Sequence, residues 1–346
     1  MKKYLIFLLV ITVSMSYGQY KGGTTAASFL KIGVGSRAVG MGEAYVAMSQ
    51  DASGLYWNPA GIAQSGGGEI MFLRNNWIAD IAVNYMGVIF PLYGVGTVGM
   101  SITSLTMDDM KVRTVLEPDG TGEEFTASDL ALQLSLARAL TDRFSIGFNF
   151  KYIQESIWHS KASAMAVDVG TLFRTQFNDM RLGMSISNYG SSMTMNGRDA
   201  RRYYDPAPNF EGNNDAVPVY YAMDAWDLPL IFRVGVAMDV IEVGVTKVTV
   251  AIDAIHPNDN YESINMGAEL SVLNKYFLRA GYKSPFVETN RAISATELER
   301  REEGLTFGAG FDLPLFGSAS GLRFDYAYAE FGRLNAAQRM SMSLYF

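Results

Sequence analysis

From about residue 67 onward, apolar and polar residues alternate in blocks of eight to twelve, each closed by a turn, the pattern of β-strands with two unlike faces. Leu130, Leu132, Leu134 and Leu136 oppose Ala131, Gln133, Ser135 and Ala137. After the turn at Thr141-Asp142-Arg143, Phe144, Ile146, Phe148, Phe150 and Tyr152 oppose Ser145, Gly147, Asn149 and Lys151. The same alternation sets Val248, Val250 and Ile252 against Lys247, Thr249 and Asp253, and Leu322, Phe324, Tyr326 and Tyr328 against Arg323 and Asp325. Alternation alone fits a soluble sandwich as well as a membrane barrel, so strand number and loop lengths must decide. The blocks fall near 67–74, 80–91, 94–105, 128–140, 143–157, 162–175, 180–189, 229–241, 244–256, 261–271, 275–284, 303–312, 319–330 and 337–346. They number roughly fourteen, an even count as single-chain bacterial barrels require. Long polar loops follow the third, seventh and eleventh blocks, at 106–127, 190–228 and 285–302, while the connections after the even blocks are short. That asymmetry is the one expected between extracellular loops and periplasmic turns. The expected fold is all-β: a 14-stranded antiparallel transmembrane β-barrel over residues 67–346.

Composition narrows the setting. The chain has 346 residues, 49% of them apolar and only 18% charged, too apolar for disorder and poor in charge for a soluble globule. No apolar run of about 20 residues follows the first fifteen positions, which excludes a helical membrane protein. Met1-Lys2-Lys3-Tyr4, the apolar stretch Leu5 to Val13 and the small residues up to Gly18 read as a signal peptide over 1–18. The formal charge of −7 gives no long-range attraction for nucleic acid, and the absence of Cys removes disulfides, thiolate chemistry and a lipoprotein anchor. An exported acidic chain of this kind belongs in the bacterial outer membrane, with outer-membrane lipid around it. Met340, Met342, Leu344 and Phe346 form an outward apolar row whose aromatic end resembles the signal read by barrel-insertion machinery.

Residues 19–66 do not alternate and are rich in Gly, Ala and Ser. A lumen about fourteen strands around is too wide for its own side chains to fill, so this stretch is expected to be an N-terminal plug. Gly33, Gly35, Gly40 and Gly42 would let its backbone approach the wall, and Pro59 after Asn58 would fix a turn or an extended step. The paired glycines also fit the spacing of a phosphate loop, but no strand-loop-helix unit or following Lys-Ser/Thr accompanies them.

Two runs carry a resemblance. Gly40-Met41-Gly42 with Ala44-Tyr45, and Trp57-Asn58-Pro59-Ala60, are similar to the amino-terminal region of the PorV/PorQ family, itself related to FadL-type transporters. Asp253-Ala254-Ile255-His256-Pro257-Asn258-Asp259, Asn265-Met266-Gly267-Ala268-Glu269, Leu278-Arg279-Ala280-Gly281-Tyr282 and Asp325-Tyr326-Ala327-Tyr328 lean towards PorV. The resemblance implies a fourteen-stranded barrel with a hatch inside the lumen. It also implies a component of type IX secretion that receives cargo bearing a C-terminal β-sandwich signal domain from the translocon. The alternative it carries is FadL-like transport of long-chain fatty acids or another hydrophobic small molecule, for which Phe29, Met41, Tyr45, Leu55 and Trp57 would supply an apolar surface.

Loop 190–228 holds Arg201, Arg202, Tyr203, Tyr204, Tyr220, Tyr221 and Trp226, residue types enriched in interface hot spots; their other reading is loop packing or an interfacial belt. Loop 285–302 adds Glu297, Glu299, Arg300, Arg301 and Glu302. His159 and His256 are the only imidazoles and no nucleophile motif accompanies them, so no enzyme and no catalytic residue is expected. The inward charges Lys151, Asp168, Arg233, Asp253, Glu269, Arg279, Arg323 and Asp325 are expected to be hydrated in a polar lumen or to pair across adjacent strands. Asp108-Asp109 is an isolated acidic pair in an outer loop, and neither metal nor cofactor is expected.

Overall fold

The computed structural model describes residues 22–77, 81–209, 216–285, 304–315, 320–331 and 336–346. The signal peptide expected over 1–18 and nearly all of loop 285–302, including Glu297, Glu299, Arg300, Arg301 and Glu302, lie outside the described residues. Among those described, one antiparallel sheet closes on itself through fourteen strands. They are β1 Glu69–Asn76, β2 Ala82–Leu92, β3 Gly96–Thr106, β4 Ala127–Ala139, β5 Phe144–Ile157, β6 Ser160–Arg174 and β7 Arg181–Gly190. The second half comprises β8 Ile231–Val243, β9 Thr246–Pro257, β10 Ser263–Val272, β11 Tyr276–Pro285, β12 Leu305–Leu315, β13 Ser320–Glu330 and β14 Ala336–Tyr345. Each strand pairs with its neighbours in sequence, and β1 closes on β14 from Glu69↔Tyr345 to Asn75↔Arg339. His256 lies at the end of β9.

Alternation gives every strand one lipid-facing and one lumenal face. On β4 and β5, Leu132, Leu134, Phe148 and Phe150 point outward and are 44–61% exposed, whereas Ala131, Gln133, Ser135 and Asn149 point inward and are buried. An apolar outer row on a closed sheet suits a hydrocarbon solvent, because closure leaves no unpaired strand edge. No described helix is long and apolar enough to cross a membrane. The barrel ends near Gly68, whose N–H donates to the Phe346 carbonyl, lie at the same rim as the short turns after β2, β4, β6, β8 and β10. The opposite rim carries the long connections. There Met193–Thr194 pairs with Ala225–Trp226, and Arg201–Tyr204 forms a separate hairpin with Val217–Tyr220.

One irregularity bears on the lumen. Between Val167 and Val169 the β6/β7 register shifts, and Asn188 adopts a left-handed conformation with φ 65°. The Asp168 carboxylate fills the gap by accepting from the Asn188 N–H and the Asn149 side chain, each at 2.7 Å, and pairs with Lys151 at 2.7 Å.

Candidate functional site: the occupied lumen and the outer rim

Residues 22–64 run through the lumen from the long-loop rim to the short-turn rim as four short helices: Ser28–Lys31, Ser36–Gly40, Gly54–Trp57 and Pro59–Gln64. Their local logic is readable. Pro59 opens its helix where a missing N–H costs nothing, and Asn58 caps it by accepting from the Ala60 N–H at 3.1 Å. The Asn58 amide also donates outward, to the Val46 carbonyl at 2.9 Å and to the Thr171 carbonyl of β6 at 3.0 Å. Trp57 is a core residue: its indole donates to the Val34 carbonyl at 2.7 Å, Tyr45 and Tyr56 meet it edge-on, and the Arg233 guanidinium lies 5.3 Å from its ring centre.

The wall receives this segment at three pairs of glycines facing each other across neighbouring strands: Gly147↔Gly170, Gly183↔Gly235 and Gly267↔Gly281. Asn58-Pro59-Ala60 sits on the first pair, Val46-Ala47 on the second and Met41-Gly42 on the third; a β-carbon at any of the six would fall within the segment or within Asp253. Gly40 lies against Gly308 of β12 in the same manner. A glycine inside a strand signals such close backbone approach. Gly40 and Gly42 therefore do approach the wall. Gly33 is different: a β-carbon there would meet Glu43 and Trp57 of the segment itself, and the wall reaches Gly33 through the Arg339 side chain, which donates to its carbonyl at 2.6 Å.

Charge completes the seat. The Asp253 carboxylate of β9 accepts the Tyr45 and Val46 N–H groups at 2.7 and 2.8 Å. Arg37 grips Glu269 of β10 in bidentate fashion at 2.7 and 2.9 Å, and Arg279 of β11 bridges Glu269 to Asp325 of β13, both at 2.6 Å. Burial disfavours the charge on Arg37, but Glu269 with Tyr45 and Asp51 more than offsets it and holds its pKa well above the ordinary value. Burial likewise works to raise Glu43, yet Lys283 at 2.9 Å, with Arg339 and Arg233, holds that carboxyl below its ordinary value. Tyr56 is pushed up to about 12, chiefly by burial. The inward charges thus pair as expected for Lys151–Asp168 and Arg279–Glu269, while Asp253 serves backbone N–H groups instead.

Above the segment, towards the long-loop rim, a cavity of about 520 Å³ is lined by Phe29, Lys31, Asp129, Glu155, Lys283 and Arg339, among others. A second of about 580 Å³ at the opposite rim is lined by Arg37, Asp51, Glu69 and Arg323. The first has a mixed lining, in which Ile32, Trp77, Ile81, Leu105 and Phe331 join Phe29 beside the charged groups, whereas the second is lined mainly by polar and charged residues. The surface expected from Phe29, Met41, Tyr45, Leu55 and Trp57 is absent in that form, since the last four are spent on packing, at most 1% exposed, and of the five only Phe29 reaches the outer cavity. Ala44 and Ala60 are fully buried in the same packing.

The loop residues behave differently. Tyr203, Tyr204, Tyr220 and Tyr221 are 58–67% exposed on and beside the free-standing hairpin. The Arg201 guanidinium lies over the Tyr203 ring and that of Arg202 over Tyr221, 5.2 and 5.5 Å from the ring centres, within cation–π range. Trp226 sits apart from the hairpin on the 193–194/225–226 pairing. His159 contacts Asp199 at 3.0 Å and stacks on Trp158, and His256 contacts Glu262 at 3.1 Å. Sequence reading missed the glycine pairs and the Thr25/Lys31–Asp259 contact; only the in-strand glycines gave a local signal.

Solved structures share this fold. The toluene transporter TbuX of Ralstonia pickettii matches with a TM-score of 0.54 at 11% identity, covering 90% of this chain and 97% of its own. The monoaromatic hydrocarbon channel CymD gives 0.53 at 11% identity, covering 90% and 96%. A FadL homologue of Pseudomonas aeruginosa gives 0.47 at 11% identity, covering 95% and 98%. At such identity the likeness to TbuX and CymD is one of fold. No curated protein matches. The family described as "Type IX secretion system protein PorV" matches residues 16–205, more than half of the sequence. With its lipid-facing barrel the protein resides in the bacterial outer membrane, and on that match the chain belongs to the PorV family.

Proposed function

We propose that this barrel is a non-enzymatic component of type IX secretion that binds secreted cargo, through its C-terminal signal domain, or the translocon, and does so with its outer loops. Residues 19–66 act as a plug that keeps the lumen shut. The observation that carries this reading is the contrast between lumen and rim. The lumenal segment lies backbone to backbone on three glycine pairs with its charges paired, whereas the Arg201–Tyr204/Val217–Tyr220 hairpin stands free with its rings in solvent. Arg and exposed Tyr are groups that supply interface hot spots. The two histidines are engaged by carboxylates at the rim, which supports a structural use for both.

The test is affinity purification of the tagged protein from native outer membranes in mild detergent, with proteins and lipids identified by mass spectrometry. A translocon barrel or proteins sharing a C-terminal signal domain should co-purify. Replacing Arg201, Arg202, Tyr203 and Tyr220 together with Ala should lower their recovery about tenfold or more while leaving the barrel's abundance unchanged. A second reading, transport of a fatty acid or another hydrophobic molecule, is favoured by the fold shared with TbuX and CymD. A stoichiometric lipid with no protein partner would establish it over the first.

A further inference from the structure

We propose that the first turn of the lumenal segment and the root of the longest outer loop form one latch, so that a partner seated on the loop hairpin controls access to the outer cavity. The functional sense of the latch rests on the loop-docking reading above; its mechanical linkage does not.

The linkage is a continuous chain of contacts. The Ala26 N–H donates to the Asp227 carbonyl at 3.0 Å, and Thr25 and Asp227 form a parallel bridge. Thr25 and Lys31 both bond one oxygen of Asp259 at 2.5 Å, a carboxylate with no solvent exposure. Asp259 belongs to the β9/β10 connection, whose Asn258 donates its backbone N–H to the Leu230 carbonyl at 3.0 Å and its side chain to the Leu228 carbonyl at 3.1 Å. Leu228 packs with Ala27, Phe29, Leu30 and Met193, and the Met193 strand pairs with Trp226. Turn 28–31, residues 227–230 and the strand bearing Trp226 are thereby one body, which residues 221–224 join to the hairpin, with the Tyr221 N–H donating to the Ala200 carbonyl at 2.9 Å at the hairpin's base.

Its seat on the wall is unlike that of residues 40–60. Phe29 and Leu30 pack in one cluster with Ala131, Ile153, Ala162, Ala164 and Ala166 of the wall, an apolar surface without a glycine pair. The polar ties downward are the Glu155 carboxylate on the Ala27 backbone and the Tyr56 hydroxyl on the Leu30 carbonyl at 3.0 Å. Ser28, Phe29, Lys31 and Ile32 line the 520 Å³ cavity, so displacement of this turn alters its mouth. Because Asp259 is fully buried, losing Lys31 strands a charge, and the latch should open rather than relax in place.

Limited trypsin digestion of the purified full-length protein reads the coupling, since Arg201 and Arg202 are exposed and distant in sequence from Lys31. Lys31→Met should raise cleavage at Arg201/Arg202 about tenfold or more, Thr25→Val by less, and Lys31→Arg hardly at all. The native chain has no Cys, so an Ala26→Cys/Asp227→Cys disulfide can be added cleanly, and on the Lys31→Met background it should restore resistance. Heat-modifiable gel mobility confirms that each variant is a folded barrel; Thr25→Val, the mildest change, keeps the test decisive if Lys31→Met misfolds. Unchanged cleavage in folded Lys31→Met and Thr25→Val would overturn the latch. Partner recovery from the same membranes is scored separately: its absence from the native protein removes the docking reading and leaves the protease result standing.

Discussion

Asp253 shows how much one side chain decides in this lumen. Its carboxylate alone satisfies the Tyr45 and Val46 N–H groups in the middle of the barrel. Asp253→Ala should destabilise the folded barrel by on the order of 3 kcal/mol, since two buried donors lose their acceptor; the midpoint of urea-induced loss of heat-modifiable mobility measures it. Glu43 carries a pH signature. Its folded pKa is held below the ordinary 4.5, so its contribution to stability is present above that value and disappears as pH falls through the depressed pKa. Acid titration of the unfolding midpoint should therefore show a limb below pH 4.5 that Glu43→Gln flattens, and an unchanged limb would show that Lys283 does not hold the segment. At this scale the sequence was legible by type and not by partner. Trp57, Asn58 and Tyr45 stand out as an unusual run, but the carbonyl that Trp57 bonds and the β6 carbonyl that Asn58 bonds are placed by contacts spanning 23 and 113 residues.

Among elements, the strands were almost wholly legible, because each must present an apolar residue to lipid at every second position. The blocks at 67–74 and 128–140 correspond to β1 at 69–76 and β4 at 127–139, a difference of two residues at most. What alternation hides is the lumenal row, where Gly147, Gly170, Gly183, Gly235, Gly267 and Gly281 read simply as small inward positions. Their meaning appears only when cross-strand register pairs them and the lumenal segment lies on top. Substitution distinguishes a seat from a filler: Gly267→Val should expel the Met41 backbone, costing about 1–3 kcal/mol or more and exposing residues 36–47 to protease. Gly66→Ala, with nothing within 4 Å, should change neither quantity. The loops lie at the other extreme. Their residue types suggested a binding surface, yet the pairing of Arg201–Tyr204 with Val217–Tyr220 rests on hydrogen bonds that composition does not encode.

For the whole molecule, the proposed plugging of the lumen by residues 19–66 predicts that ions meet a closed path. In planar bilayers the native protein should pass little current, whereas Arg37→Ala combined with Asp253→Ala, which removes two of the charged anchors, should give larger current steps. Equal large steps from both proteins would refute closure by the segment. The seating on six glycines also has a consequence for how the protein comes into being. The segment touches β5 and β6 at one end, β7, β8, β10 and β11 in the middle and β12 beyond, so it meets seven of the fourteen strands at backbone distance. Threading this chain into a finished cylinder would require all seven close fits to be made at once. Winding the wall around the segment, with β1 meeting β14 only after the contents are seated, makes them one by one, and an error inside would then show itself as a barrel that is slow to close.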